Sequence, residues 1–299
     1  MSRQPIVEDG SGRMSGDDAR RRLLAGAPVT ERRLDLAGVS TAVLEGGDGP
    51  PVVLLHGQGG WSGMWLPVIA DLVTTHRVVA PDLPGLGASE VPDGPPDAAR
   101  VLAWLGELIQ RTCPSPPALV GASLGASIAA RFAIAHPDRL TRLVLVGAGS
   151  LARFRPAPGV ALALIRFIAR PGERTQARFL RQVTVDPSRV RALLGERWEA
   201  SQAYNLDRAR TPSVRAANRR LLRELGTKTI PPHELARIAV PTSLIWGRHD
   251  RVMRLRIAEA ASVRYGWPLH VIEDAGHFSL EQPQAFRAAL RAALGQQRR

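Results

Sequence analysis

A chain of 299 residues, 44% of them hydrophobic and with a mean hydropathy of −0.08, can bury a sizeable core, which excludes wholesale disorder. The net charge of +13 is almost entirely arginine, with Lys228 the only lysine. No RNP sequence, zinc-finger spacing or basic run interleaved with aromatics accompanies that charge, so nucleic acid is not expected as a partner.

Residues 1–27 read as an N-terminal arm, helical in part or disordered. Arg20-Arg21-Arg22 ahead of Leu23-Leu24-Ala25 echoes a twin-arginine signal, but the apolar run is too short for one. No segment approaches the ~18 apolar residues of a membrane span. Cys113 is the only cysteine, so no intrachain disulfide is possible and an oxidising compartment is not needed. The chain is expected to be cytoplasmic.

Alternating residues at Arg33–Leu36 and Ser40–Leu44 predict an antiparallel hairpin around Gly38. Pro51–His56 is apolar without alternation, as strands buried on both faces are. Then follow a helix (Trp65–Val73), a strand (Arg77–Ala80), a helix (Asp97–Arg111), a strand (Ala118–Gly121), a helix (Leu124–Ala135) and a strand (Leu143–Val146). Such alternation implies right-handed βαβ crossovers and a mostly parallel sheet flanked by helices. From Leu151 to Arg237 the pattern is helical only, with stretches at Val160–Ala169, Glu173–Val183, Val190–Tyr204 and Val214–Leu225 separated by prolines. Strands return at Thr242–Trp246 and Leu269–Ile272, and Gln282–Leu294 reads as a closing helix. The chain therefore divides into an α/β core over 28–150 and 238–299, with a helical cap inserted at 151–237.

Gly121-Ala122-Ser123-Leu124-Gly125 lies where a predicted strand turns into a predicted helix. A turn that tight strains the serine backbone and tolerates only minimal neighbours, while the following helix N-terminus favours developing negative charge at the serine oxygen. Strand, Gly-x-Ser-x-Gly and helix together resemble the nucleophile turn of the α/β-hydrolase family. Three further segments carry the resemblance. His56-Gly57-Gln58-Gly59-Gly60 after the first apolar strand is similar to the family's oxyanion loop. Asp250 follows the strand ending at Trp246, whereas the rival position, Gly147-Ala148-Gly149-Ser150, offers no carboxylate. His277, in Asp274-Ala275-Gly276-His277-Phe278, follows the last strand. Asp82-Leu83-Pro84-Gly85-Leu86-Gly87-Ala88-Ser89 is similar to a family loop that packs below the site, a structural part in which Ser89 is no second nucleophile.

The resemblance implies an α/β-hydrolase fold and a Ser-His-Asp hydrolase. Its catalytic residues would be Ser123, Asp250 and His277, with the backbone N–H groups of Gln58 and Leu124 as oxyanion donors. His56 is expected to hold its loop rather than carry protons. The implied reaction is cleavage of a small-molecule carboxylic ester through an acyl-enzyme. The same machinery also serves C–C bond hydrolysis of a vinylogous diketone acid, acyl transfer or perhydrolysis, and a relative without turnover would be a ligand-binding module. No cofactor and no metal are expected, because no cluster has ligand spacing.

Two matters stay open at this level. Trp61, Met64 and Trp65 line a substrate pocket or form the buried face of the first core helix. Residues 151–237 hold 17 Arg and one Lys against seven acidic residues, +11 of the chain's +13. That charge reads first as a solvated helix face. In the second reading, one or two arginines face the cleft and bind an anionic substrate.

Overall fold

The computed structural model describes residues 8–9 and 13–295. Its eight-stranded sheet grows from short aliphatic runs: β1 (Thr30–Leu36), β2 (Val39–Gly46), β3 (Pro51–Leu55), β4 (Arg77–Pro81), β5 (Ala118–Ala122), β6 (Arg142–Val146), β7 (Thr242–Gly247) and β8 (Leu269–Ile272). Spatial order is β8-β7-β6-β5-β3-β4-β2-β1. The pairs β1–β2 and β2–β4 are antiparallel and the rest parallel. Every residue of β3 and β5 is buried, which is why these strands lack alternation. The hairpin turns on Ala37 and Gly38, at φ 48° and 73°, the left-handed pair that matches strand twist.

Helices cover both faces. On one side α3 (Ala98–Thr112), α4 (Leu124–Ala135) and α11 (Leu255–Tyr265) join the larger core cluster. On the other, α2 (Leu66–Leu72) and α12 (Pro283–Ala293) build the second cluster around Trp65, Ile69, Phe286 and Leu290. Between β6 and β7 the described residues are helical: α5 (Pro158–Ala169), α6 (Glu173–Val183), α7 (Pro187–Leu194), α8 (Trp198–Arg210), α9 (Pro212–Leu221), a π-helical turn at Leu222–Gly226 and α10 (Pro232–Leu235). The single helix expected over Val190–Tyr204 is two, because Gly195 sits at φ 52° and breaks it. Helix α11 has no counterpart in the sequence reading. It buries only Ala258 and Ala261, too thin an apolar stripe to register.

Within the N-terminal arm the helical stretch is packed against the fold. Gly16–Leu24 is a regular helix, α1, whose N-cap Ser15 accepts a hydrogen bond from Asp18 N–H. Gly16, Ala19, Arg20 and Leu23 face inward at helical spacing, and α1 packs on α8. The Arg20-Arg21-Arg22 run conceals this stripe, since one of its members is buried. Residues 1–7 and 10–12 of the expected arm lie outside the described residues. Among the described residues no helix is long and apolar enough to cross a membrane.

Phe286 fixes α12 on the sheet, fully buried with its ring 6.1 Å from that of Trp65. Phe286→Ala is expected to lower the unfolding free energy by about 3–5 kcal/mol in urea titrations. Val263→Ala, on a side chain 89% exposed, should stay within about 0.5 kcal/mol of the parent.

Candidate active site

Ser123 is the single residue between β5 and α4, at φ 51° and ψ −108°. A non-glycine residue in this region is strained by about 1–3 kcal/mol and persists only where its surroundings over-determine it. They do so here. Ser123 N–H donates to Val146 O at 2.8 Å, tying the turn to β6. A Cβ on Gly121 would lie 2.4 Å from Gly125 O, and one on Gly125 would lie 2.4 Å from Leu55 O and 2.6 Å from His56 O. The two glycines are thus required by backbone proximity, and they let α4 begin directly against the end of β3.

Asp250 and His277 come from the loops after β7 and β8. The buried Asp250 carboxylate is fixed at both oxygens: Oδ1 accepts from Val252 and Met253 N–H, each at 2.8 Å, and Oδ2 lies 2.7 Å from His277 Nδ1. An ionised carboxylate only accepts, so Nδ1 carries the proton and Nε2 is left as the acceptor of the ring. Space for the pair depends on Gly147, at φ 54°, where a Cβ would lie 3.1 Å from His277 Cε1 and 3.6 Å from Asp250 Oδ2. The glycine that leaves this position without a carboxylate is also the one that makes room for the carboxylate from the next strand.

The loop after β3 is stitched to the loop after β4. His56 is fully buried: its Nε2 accepts from Leu83 N–H at 2.9 Å, so Nδ1 donates to Gly57 O at 2.8 Å. Burial pushes its pKa below the ordinary 6.5, which suits a neutral structural ring. Asp82 accepts from Ser62 N–H at 2.6 Å and from Ala88 N–H at 2.7 Å. Ser89 is buried, with Oγ donating to Asp82 O and accepting from Ala42 N–H.

Ser123, His277, Gln58 and Leu124 all border one cavity of about 650 Å³, walled above by the helices between β6 and β7. Leu164, Phe167, Phe179 and Leu193 make that wall largely apolar. Trp61 and Met64 line it as well. Trp65 does not, and its reading as a substrate contact is corrected: it is fully buried in the core beside Phe286. A 3-10 turn over Ser62–Trp65 precedes α2 and turns Trp65 toward the sheet.

The arginine question divides residue by residue. Four arginines of this helical region border the cavity: Arg197, Arg208, Arg215 and Arg219. Arg208 pairs with Asp207, while Arg197 and Arg215 donate to Ala25 O at 2.7 Å and Ile168 O at 3.1 Å. Arg219 has no carboxylate partner among the described residues. The sequence reading also missed Glu281, a buried carboxylate that accepts from Gly276 N–H at 2.7 Å and from Val185 N–H at 3.0 Å. It ties the His277 loop to the segment between α6 and α7, with nothing in its local sequence to mark it.

A profile described as the alpha/beta hydrolase family matches residues 52–289. The chain is 30% identical over 273 residues to 2-hydroxy-6-oxo-6-phenylhexa-2,4-dienoate hydrolase of Comamonas testosteroni, an alignment covering 85% of this chain and 89% of that protein. It is 29% identical over 262 residues to pimeloyl-[acyl-carrier protein] methyl ester esterase of Aeromonas hydrophila, covering 83% and 96%. Among solved structures, 2-hydroxy-6-oxo-6-phenylhexa-2,4-dienoate hydrolase from Rhodococcus sp. strain RHA1 superposes with a TM-score of 0.77 at 26% identity, covering 89% of this chain and 99% of that one.

Gly125→Ala is expected to destabilise the fold by more than about 3 kcal/mol, since backbone carbonyls cannot yield as a flexible side chain can; urea unfolding checks this. A pH effect follows from His56, and from His76 and His270, whose pKa values are also lowered by burial. Below pH 6.5 the unfolded chain takes up protons that the native one resists. The stability these rings contribute is therefore complete above that pH and falls as pH drops toward the lowered native values. The urea midpoint should be lower at pH 5 than at pH 7.5, and less so in His270→Gln.

Proposed function

The chain belongs to the alpha/beta hydrolase family, and from that premise we propose that it is a serine hydrolase cleaving a small-molecule carboxylic ester through an acyl-enzyme on Ser123. One observation carries the reading: a serine on a strained strand-to-helix turn shares an apolar cavity with a histidine whose far nitrogen is held by a buried carboxylate.

In this mechanism His277 Nε2 takes the Ser123 proton as Oγ bonds to the ester carbonyl carbon. The carbonyl oxygen becomes an oxyanion between the N–H groups of Gln58 and Leu124. Collapse of the tetrahedral species breaks the bond to the alkoxy group, which leaves as the alcohol with the proton from His277. Water then attacks the acyl-enzyme, His277 again takes and returns the proton, and the acid departs. Asp250 keeps the ring in the required tautomer and stabilises the imidazolium. Residues 151–237 act as the cap that encloses the acyl group. Arg219 is the side chain offered to a carboxylate on the substrate, so an ester that also bears an acid group is preferred.

A second reading, C–C hydrolysis of a vinylogous diketone acid, is supported by the same arginine and by likeness to two proteins named as dienoate hydrolases. A panel of p-nitrophenyl esters of increasing acyl length, run beside a chromogenic dienoate, separates the two. Turnover of esters alone supports the first reading and turnover of the dienoate the second; turnover of neither sinks both. Ser123→Ala should lower kcat/KM by at least about 10³-fold. Arg219→Ala should lower kcat/KM for a half-ester of a dicarboxylic acid more than for the matched uncharged ester. Equal values for the two substrates in the parent protein would end the anionic-substrate proposal.

A further inference from the structure

We propose that Arg20, on the N-terminal helix α1, is a positioning residue for this site: it holds the loop that carries Gln58 and, through Trp61 and Tyr204, the adjoining cavity wall. The inference rests on the reading of Ser123 as nucleophile.

Arg20 is 5% exposed and meets four stretches of chain far apart in sequence. Nη1 lies 2.9 Å from Asp82 Oδ2 and donates to Tyr204 Oη at 2.7 Å, on α8. Nε donates to the Glu31 carboxylate, at 3.1 and 3.2 Å, on β1. The guanidinium lies over the Trp61 ring, 4.6 Å from its centroid, and Trp61 in turn packs edge-on against Tyr204 with centroids 4.8 Å apart. Burial works against the charge of Arg20, but Asp82, Tyr204 and Glu31 outweigh it and its pKa is raised, so the group remains a cation.

Asp82 is the link to the site. Its carboxylate accepts from Ser62 N–H, which closes the loop running from His56 through Gln58 to Trp61. Trp61 borders the cavity, and so does Leu23, one turn along α1 from Arg20. A buried ion pair is often no more stabilising than an apolar replacement, so stability alone does not account for a charge at this place. What the guanidinium does is fix direction: it holds one oxygen of Asp82 and one face of Trp61. Oxyanion donors act only when aimed at the developing charge, and positions must hold to within about 0.5 Å. Beyond the tie from His56 to Leu83, the loop bearing Gln58 is held by contacts made at Trp61 and Ser62. Lysine could supply the charge toward Asp82 but not the planar fork.

The test compares the parent protein with Arg20→Met, Arg20→Lys, Asp82→Asn and Arg20→Met/Asp82→Asn. The readouts are kcat and KM for the best p-nitrophenyl ester, per folded molecule, and amide hydrogen exchange of residues 57–62. Arg20→Met should lower kcat at least about tenfold with KM within about threefold, because misplacement acts on the transition state. Exchange at residues 57–62 should rise at least about tenfold in the same variant. Arg20→Lys, which keeps the charge toward Asp82 but neither the fork nor the face over Trp61, should fall between Arg20→Met and the parent in kcat. A lowered Tm with parental kcat and parental exchange at 57–62 in Arg20→Met would overturn the proposal. If Arg20→Met does not fold, the double variant is compared with Asp82→Asn alone: lower kcat and faster exchange than in Asp82→Asn support the proposal, and values equal to those of Asp82→Asn overturn it. Absence of turnover in the parent protein would instead contradict the Ser123 reading, while the exchange measurement still decides the role of Arg20.

Discussion

The left-handed backbone at Ser123 is the constraint on which the carboxyl edge of the sheet depends. It holds because β3, β5 and β6 approach closely: Leu55 and His56 carbonyls lie against Gly125, and Val146 O receives the serine N–H. No side chain fits at Gly121 or Gly125, so strand, turn and helix are set with almost no freedom. The loops after β3, β7 and β8 then converge on the point where the turn projects. Gly147, also left-handed, leaves the space through which Asp250 reaches His277. The geometry at this edge is thus determined by backbone packing first and by side-chain chemistry second.

Above that edge, the helices between β6 and β7 close a largely apolar cavity, and two buried charged groups are among the contacts that tie them to the rest of the fold. Glu281 joins the His277 loop to the segment between α6 and α7. Arg20 joins α8 to the loop after β4 through Tyr204 and Asp82. Both are buried charged groups with several partners, the arrangement in which removing one member costs most. Through these ties, substitutions in the helical region would reach the loops at the carboxyl edge.

How much of this was legible in the sequence follows from the range of each signal. The β/α alternation, the Gly-x-Ser-x-Gly turn and the segments around Asp250 and His277 are local patterns, and the structure places those residues where three loops meet. Trp65 misled because three residues around a 3-10 turn do not share one face, so adjacency to Trp61 says little about direction. Arg20 and Glu281 were invisible because the partners that tie them to other parts of the fold, Asp82 and Val185, lie 62 and 96 residues away. A single charged residue in a basic run looks solvated until the fold shows what it touches. Gly195 was read through because one glycine inside an apolar periodicity does not by itself announce a break. The arginine surplus resolves only in the structure, where Arg197 and Arg215 are taken up by backbone carbonyls and Arg219 is not.

The proposed chemistry stands on Ser123 being an activated nucleophile. Treating the folded protein with a fluorophosphonate and mapping the adduct by peptide mass tests it directly. One adduct per chain is expected, on Ser123, lost in Ser123→Ala and slowed in His277→Ala. Failure of the folded parent protein to react, or an adduct on another residue, would contradict it.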